Sequence, residues 1–178
     1  SAAKDTGIYA WLYDEDRFPS GGAGGLVQSA DRKAYSAKAI TMELRDGPCP
    51  DKDAICFAVT LDSGKLLHAR RMTDTTDIAD MEKVAVFRVE ISLPCEWFNN
   101  EAPPDNLNPQ AVAHFIAVTH EKYRQYFGDE FGKTIRGVFT DEPNIADFRC
   151  QYSPGRPWVP WTNGFWDLFS ENRGYRLE

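Results

Sequence analysis

With 178 residues the chain is long enough for one ordinary domain with a real core. Its 42% hydrophobic and 26% charged residues are those of a soluble globular protein. The net charge of −7, from 20 basic and 27 acidic side chains, argues against a nucleic-acid partner or an anionic membrane surface, and no run of about 18 apolar residues is present to cross a bilayer.

Residues 7–13 (Gly-Ile-Tyr-Ala-Trp-Leu-Tyr) read as a strand covered on both faces, which places Trp11 in a core. The strand runs into Asp14-Glu15-Asp16-Arg17 and then a glycine-dense loop, residues 18–25. Those glycines lack the Gly-Lys-Ser/Thr of a phosphate loop, and Ser20 lacks a nucleophile elbow, so a tight structural loop is expected. Residues 26–33 suit a short helix. Alternating or β-rich patterns follow at 37–45, 54–61, 65–72 and 84–92, with a hairpin turn at Asp62-Ser63-Gly64-Lys65, and predict a small antiparallel sheet. A linker-like loop occupies 99–107. A long amphipathic helix is predicted next, capped by Asn108, started by Pro109 and stopped by Gly128. It leads into a strand at 134–140, the helix-then-strand half of a βαβ unit. An aromatic stretch around Tyr152, Trp158 and Trp161 precedes a last helix, capped by Thr162 or Asn163 and ended by Gly174.

The four cysteines, Cys49, Cys56, Cys95 and Cys150, make neither a C-x-x-C pair nor a zinc spacing. Buried thiols are the expectation, with one disulfide as the alternative. His68, His114 and His120 share no ligand spacing, so no metal centre is expected, and His120 reads as a helix-packing residue.

The stretch Thr140-Asp141-Glu142-Pro143-Asn144 carries the most information. Two carboxylates sit where the strand Ile135–Phe139 stops, and Pro143 keeps it from continuing. A glutamate so placed can give a proton to a leaving oxygen; an ordinary solvated turn would use the same residue types. In an extended segment Asp141 and Glu142 point to opposite faces, so they are not expected to form a catalytic pair with each other.

Two separated motifs, Trp11 through Gly25 and Asn108 through Asn144, together resemble the catalytic region of large bacterial glycoside hydrolases related to α-L-rhamnosidases, which often carry family-2-type sugar-binding modules. The resemblance implies an α/β fold: a partial (β/α)8 barrel from residues 1–34 and 99–178, with an antiparallel sheet subdomain inserted at 35–98. It implies that Glu142 is the general acid/base of a glycosidase, of retaining type in the relatives' manner, acting on a carbohydrate. Asp14, Glu15, Asp16, Asp141, Asn144, Trp158 and Trp161 become candidate substrate-binding residues. Asp141 stands where related enzymes more often have Asn. No cofactor is required, although calcium is a candidate ligand for Asp14, Glu15, Asp16 and Asp141. A whole barrel takes about 250 residues. The chain is therefore expected to be a stretch of a longer polypeptide, with little activity alone and with open edges that favour self-association. A carbohydrate-binding module without chemistry and an inactive structural fragment are the competing expectations.

Overall fold

The computed structural model describes residues 2–49, 54–74, 78–145 and 156–177. In chain order its helices are α1 (Ala2–Thr6), α2 (Leu26–Ala30), α3 (Arg32–Tyr35), α4 (Pro109–Val118), α5 (His120–Phe127) and α6 (Phe165–Arg173). Its strands are β1 (Ala10–Tyr13), β2 (Lys38–Arg45), β3 (Ile55–Asp62), β4 (Lys65–Arg71), β5 (Lys83–Ile91), β6 (Ile135–Phe139) and β7 (Trp158–Trp161). The chain divides into two compact units: Ser1–Lys38 with Ile91–Gln151 and Trp161–Glu178, and Ala39–Glu90 with Tyr152–Pro160.

The second unit is built on a five-stranded sheet in the order β4-β3-β5-β2-β7. Strand β3 pairs antiparallel with both neighbours. The β3–β4 hairpin closes through Ser63 and Gly64, both at positive φ (49° and 80°), with Asp62 opposite Lys65. Two such residues make the primed turn whose twist matches the flanking strands. Valines from β5 supply the core: Val84 and Val86 pack with Cys49 and Cys56, against Ala54, Met72 and Ile78. Cys49 and Cys56 are joined in a disulfide, Cys95 is also disulfide-bonded, and no described cysteine is free. This corrects the expectation of buried thiols, which rested on spacings that carry no information about which sulfurs meet.

The expectation of a partial (β/α)8 barrel is overturned. Parallel pairing of strands is found between β1 and β6, and most of the strand content is antiparallel sheet. Strand-then-helix units do not alternate around an axis; after β1 the chain makes two short helices and then four sheet strands before α4. A β-rich fold with few helices takes the barrel's place.

In the first unit β1 and β6 run parallel, with Trp11 opposite Gly137, Leu12 opposite Val138 and Tyr13 opposite Phe139. The pair is not covered on both faces, as parallel strands in large sheets are. Trp11 is 66% exposed, and its ring lies along β6 where a Cβ on residue 137 would come within 2.6 Å of it. The expected core tryptophan is thus a surface one, made possible by Gly137. The core of this unit is instead Val27, Ala111 and Phe115, with Ala23, Tyr35 and Val118 against them.

Asn108 caps α4 as expected, its side chain accepting the Gln110 N–H at 2.9 Å, with Pro109 in the first turn. The single long helix does not form. It breaks at Thr119, whose backbone (φ −116°, ψ −79°) leaves the helix and whose hydroxyl donates to the Phe115 carbonyl at 2.6 Å. A threonine bonding back to the preceding turn bends helices in this way. The cap expected of α6 also differs: Gly164 occupies the position, and the Thr162 hydroxyl donates to Asp105 at 2.8 Å instead. Gly174 ends α6 in the left-handed region, as its residue type dictates.

Three carboxylates are held below the usual range by their partners. Glu101 is lowered chiefly by the Arg32 guanidinium, against the opposing effect of burial. Glu82 is lowered first by the Ala79 N–H and then by Arg70, and Glu130 first by Lys4 and then by Thr134. Depressed carboxylates stabilise the fold above their unfolded values, and that stability fades as pH falls through the folded values. Urea midpoints are therefore expected to hold above about pH 4.5 and decline below it. Glu101→Gln should flatten the acid-side decline; an unchanged slope would contradict the assignment.

Candidate functional site

Beyond the ends of β1 and β6 the parallel register brings two distant segments side by side. The Asp14 N–H donates to the Phe139 carbonyl at 3.3 Å, so Asp14 leaves β1 beside Thr140. Asp14 is 2% exposed. Its Oδ1 accepts the Ser20 hydroxyl at 2.6 Å, and its Oδ2 accepts the Thr140 hydroxyl at 2.6 Å and lies 2.9 Å from His120 Nε2. The break at Thr119 starts α5 at His120 and lets the imidazole reach β1, with the Phe115 ring edge-on to it at 5.5 Å. Ser20 then ties itself to Asp141 twice, its N–H donating to the Asp141 carbonyl and its Oγ accepting the Asp141 N–H, both at 2.8 Å. The Tyr13 phenol donates to Asp141 Oδ2 at 3.2 Å. Burial first, and the Asp141 carboxylate second, push the Tyr13 phenol above its ordinary value.

The glycine-dense loop is organised by Glu15. Its Oε2 accepts the N–H groups of Gly21, Gly22 and Ala23 at 3.2, 2.8 and 2.7 Å, and its Oε1 accepts that of Gly24. Successive amides turned to one anion form a nest, here filled from within the chain. Gly21 has a φ of 135°, and a Cβ there would lie 2.3 Å from Asn106 Oδ1. Asn106 Nδ2 donates to the Asn144 carbonyl at 2.9 Å and to the Ser20 carbonyl at 3.3 Å. Asn99 joins Asp16 and the Gly24 carbonyl, and Trp97 Nε1 donates to the Phe18 carbonyl at 2.6 Å. Three segments, 14–25, 96–106 and 140–144, therefore converge at one end of the parallel pair. Gly21→Ala combines a clash with a backbone conformation foreign to L residues and is expected to cost about 2 kcal/mol, read as a lowered denaturation midpoint; a midpoint within error of wild type would contradict the close approach.

Of the residues singled out from sequence, Asp14, Glu15, Asp16, Asp141, Glu142 and Asn144 all fall in these converging segments. Their roles divide. Asp14 and Glu15 face inward and are bound to donors. Asp16 is exposed and accepts from Asn99. Glu142 is exposed, at a φ of 40°, and its carboxylate has no hydrogen-bond partner among the described residues. Asn144 contributes its carbonyl. Trp161 is 5% exposed and packs on Phe165 and Trp166 at 5.0 and 4.6 Å, while Trp158 is half-buried in β7. Cys150, Tyr152 and Pro154 lie outside the described residues. Of the four carboxylates named for calcium, Asp14 is turned to two hydroxyls and an imidazole, and Glu15 to backbone N–H groups. Among the described residues no group of three His, Cys, Asp or Glu could hold a metal ion.

Sequence reasoning missed His120, Ser20, Asn106 and Tyr13 as partners of this cluster. His120 follows a threonine in a helical stretch, and a possible break there was the one available signal. No protein-family model, no curated protein and no solved structure matches the chain.

Proposed function

We propose that this chain takes part in glycoside hydrolysis, with Glu142 as the proton donor to the leaving oxygen. The observation that supports the reading is the placement of Glu142: an exposed carboxylate, without a partner among the described residues, beyond the end of a parallel strand pair and beside the buried Asp14 cluster. In the bond-breaking step Glu142 gives its proton to the glycosidic oxygen as the C–O bond opens, and recovers one from water afterwards. A second carboxylate must face the anomeric carbon. Asp14 and Glu15 are turned inward to donors and Asp141 to the Tyr13 phenol, which leaves the exposed Asp16, bound by Asn99, as the candidate at this end. The disulfides suit an oxidising compartment, where extracellular polysaccharides are met.

Glu142→Gln is expected to lower aryl-glycoside turnover by about 10²–10⁴-fold, the usual contribution of a positioned general acid. Unchanged turnover in this variant would remove the proposal. The exposed Trp11 favours one other reading, carbohydrate binding without chemistry, because an open indole face stacks on the apolar face of a sugar. That reading is supported if oligosaccharides bind without being cleaved, if Trp11→Ala abolishes binding, and if Glu142→Gln leaves it intact.

A further inference from the structure

We propose that Thr140, Ser20 and Asn106 are positioning residues that hold Glu142 in its left-handed backbone conformation, with the buried Asp14 carboxylate anchoring Thr140 and Ser20. The functional meaning of this clamp rests on the reading of Glu142 as proton donor; its geometry does not.

Glu142 has a φ of 40°, a region that L residues with long side chains rarely adopt. Glycine takes this region at Gly64, Gly164 and Gly174, and among the described non-glycine residues Ala23, Ser63, Met81, Asn99 and Asn100 share it with Glu142. Such a conformation persists only where the flanking structure over-determines it. On the N-terminal side, Thr140 is fixed by its hydroxyl on Asp14, and Asp141 by its N–H and carbonyl on Ser20 and its carboxylate on Tyr13. Ser20 is wholly buried and itself anchored to Asp14. On the C-terminal side Pro143 has a fixed φ, and the Asn144 carbonyl is held by Asn106. The same Asn106 amide also takes the Ser20 carbonyl, so one side chain ties the two flanks together. None of these contacts involves the Glu142 carboxylate. The clamp fixes the backbone and leaves the acid free, which is what a residue that must meet a ligand requires.

The test uses the isotopically labelled chain without any sugar. A left-handed residue gives a strong intraresidue NOE between its amide and α protons. That signal is expected at Glu142 in wild type and in Thr140→Ser, which keeps the hydroxyl. It should weaken in Thr140→Val and in Asn106→Ala. In Thr140→Val the Asp141 amide should exchange about tenfold faster, the scale of one lost hydrogen bond in a charged network, while Val112 in α4 keeps its wild-type rate. A strong NOE retained at Glu142 in both Thr140→Val and Asn106→Ala would overturn the proposal, as would faster exchange shared equally by Val112. Because Glu142→Gln leaves every clamp contact in place, the outcome of its turnover assay bears on the chemistry alone.

Discussion

Replacing Lys38 by methionine is expected to lower stability by about 3–5 kcal/mol, the range for breaking a buried ion pair from one side. Lys38 and Asp105 have side chains only 2% and 1% exposed, with Nζ 3.1 Å from Oδ2. The ammonium gives its other two protons to the Ala34 and Ser36 carbonyls, each at 2.8 Å. Asp105 also accepts from the Thr162 hydroxyl at 2.8 Å and the Leu107 N–H at 3.2 Å. Every proton and most lone pairs are used, which is the condition under which a buried pair persists. Methionine fills the volume but leaves a buried carboxylate without its counter-charge and two carbonyls without a donor. The pair also locks the 35–38 segment to 103–105, where the Ala37 N–H meets the Pro103 carbonyl and the Asp105 N–H meets the Tyr35 carbonyl, both at 2.8 Å. Urea denaturation of Lys38→Met, and of Lys38→Met with Asp105→Asn, checks the account. The double variant should recover part of the loss, because the isolated charge is gone. A single variant within about 1 kcal/mol of wild type would contradict it.

Asp14→Ala is expected to cost about 3 kcal/mol, because one truncation removes the acceptor of the Ser20 and Thr140 hydroxyls and the partner of His120. Ser20 has no solvent to turn to, since it is fully buried. Asp14→Asn keeps the shape and one carbonyl oxygen, which can still serve Thr140 and His120. Its amide group would face the Ser20 hydroxyl with the wrong polarity, so a smaller loss of about 1–2 kcal/mol is expected. The order alanine, then asparagine, then wild type in denaturation midpoint is the checkable outcome, and equal midpoints for the two variants would contradict the role given to the carbonyl oxygen. Both substitutions should also disturb residues 140–142, although neither touches Glu142.

What could be read from the sequence was local. The Ser63-Gly64 turn, the Asn108-Pro109 helix start and the Gly174 stop depend on residue types that favour one backbone conformation, and each is where it was expected. The strand segments of the antiparallel sheet were visible from their β-rich patterns for the same reason. Pairings across long separations were not visible. The β1–β6 register and the meeting of Asp14 with His120 are set by tertiary packing, and composition does not encode them. The barrel implied by the resemblance of two separated motifs does not form: the parallel pair β1–β6 supplies the strand-end geometry without the rest of the architecture. An apolar run suggests a strand covered on both faces, whereas Gly137 gives the Trp11 ring a shelf at the surface. The acidic segments 14–16 and 140–142 were singled out by charge at strand ends. Their division into inward-facing Asp14 and Glu15 and outward-facing Glu142 needed the three-dimensional contacts.

The amides of Gly21, Gly22, Ala23 and Gly24 already surround the Glu15 carboxylate. A tethered anion outcompetes a dissolved one, because its effective concentration is fixed by the covalent chain. Inorganic phosphate or a phosphorylated sugar would therefore find this loop taken, despite a glycine content that invites them. An anion that reaches this end of the protein must be recognised by groups other than these amides.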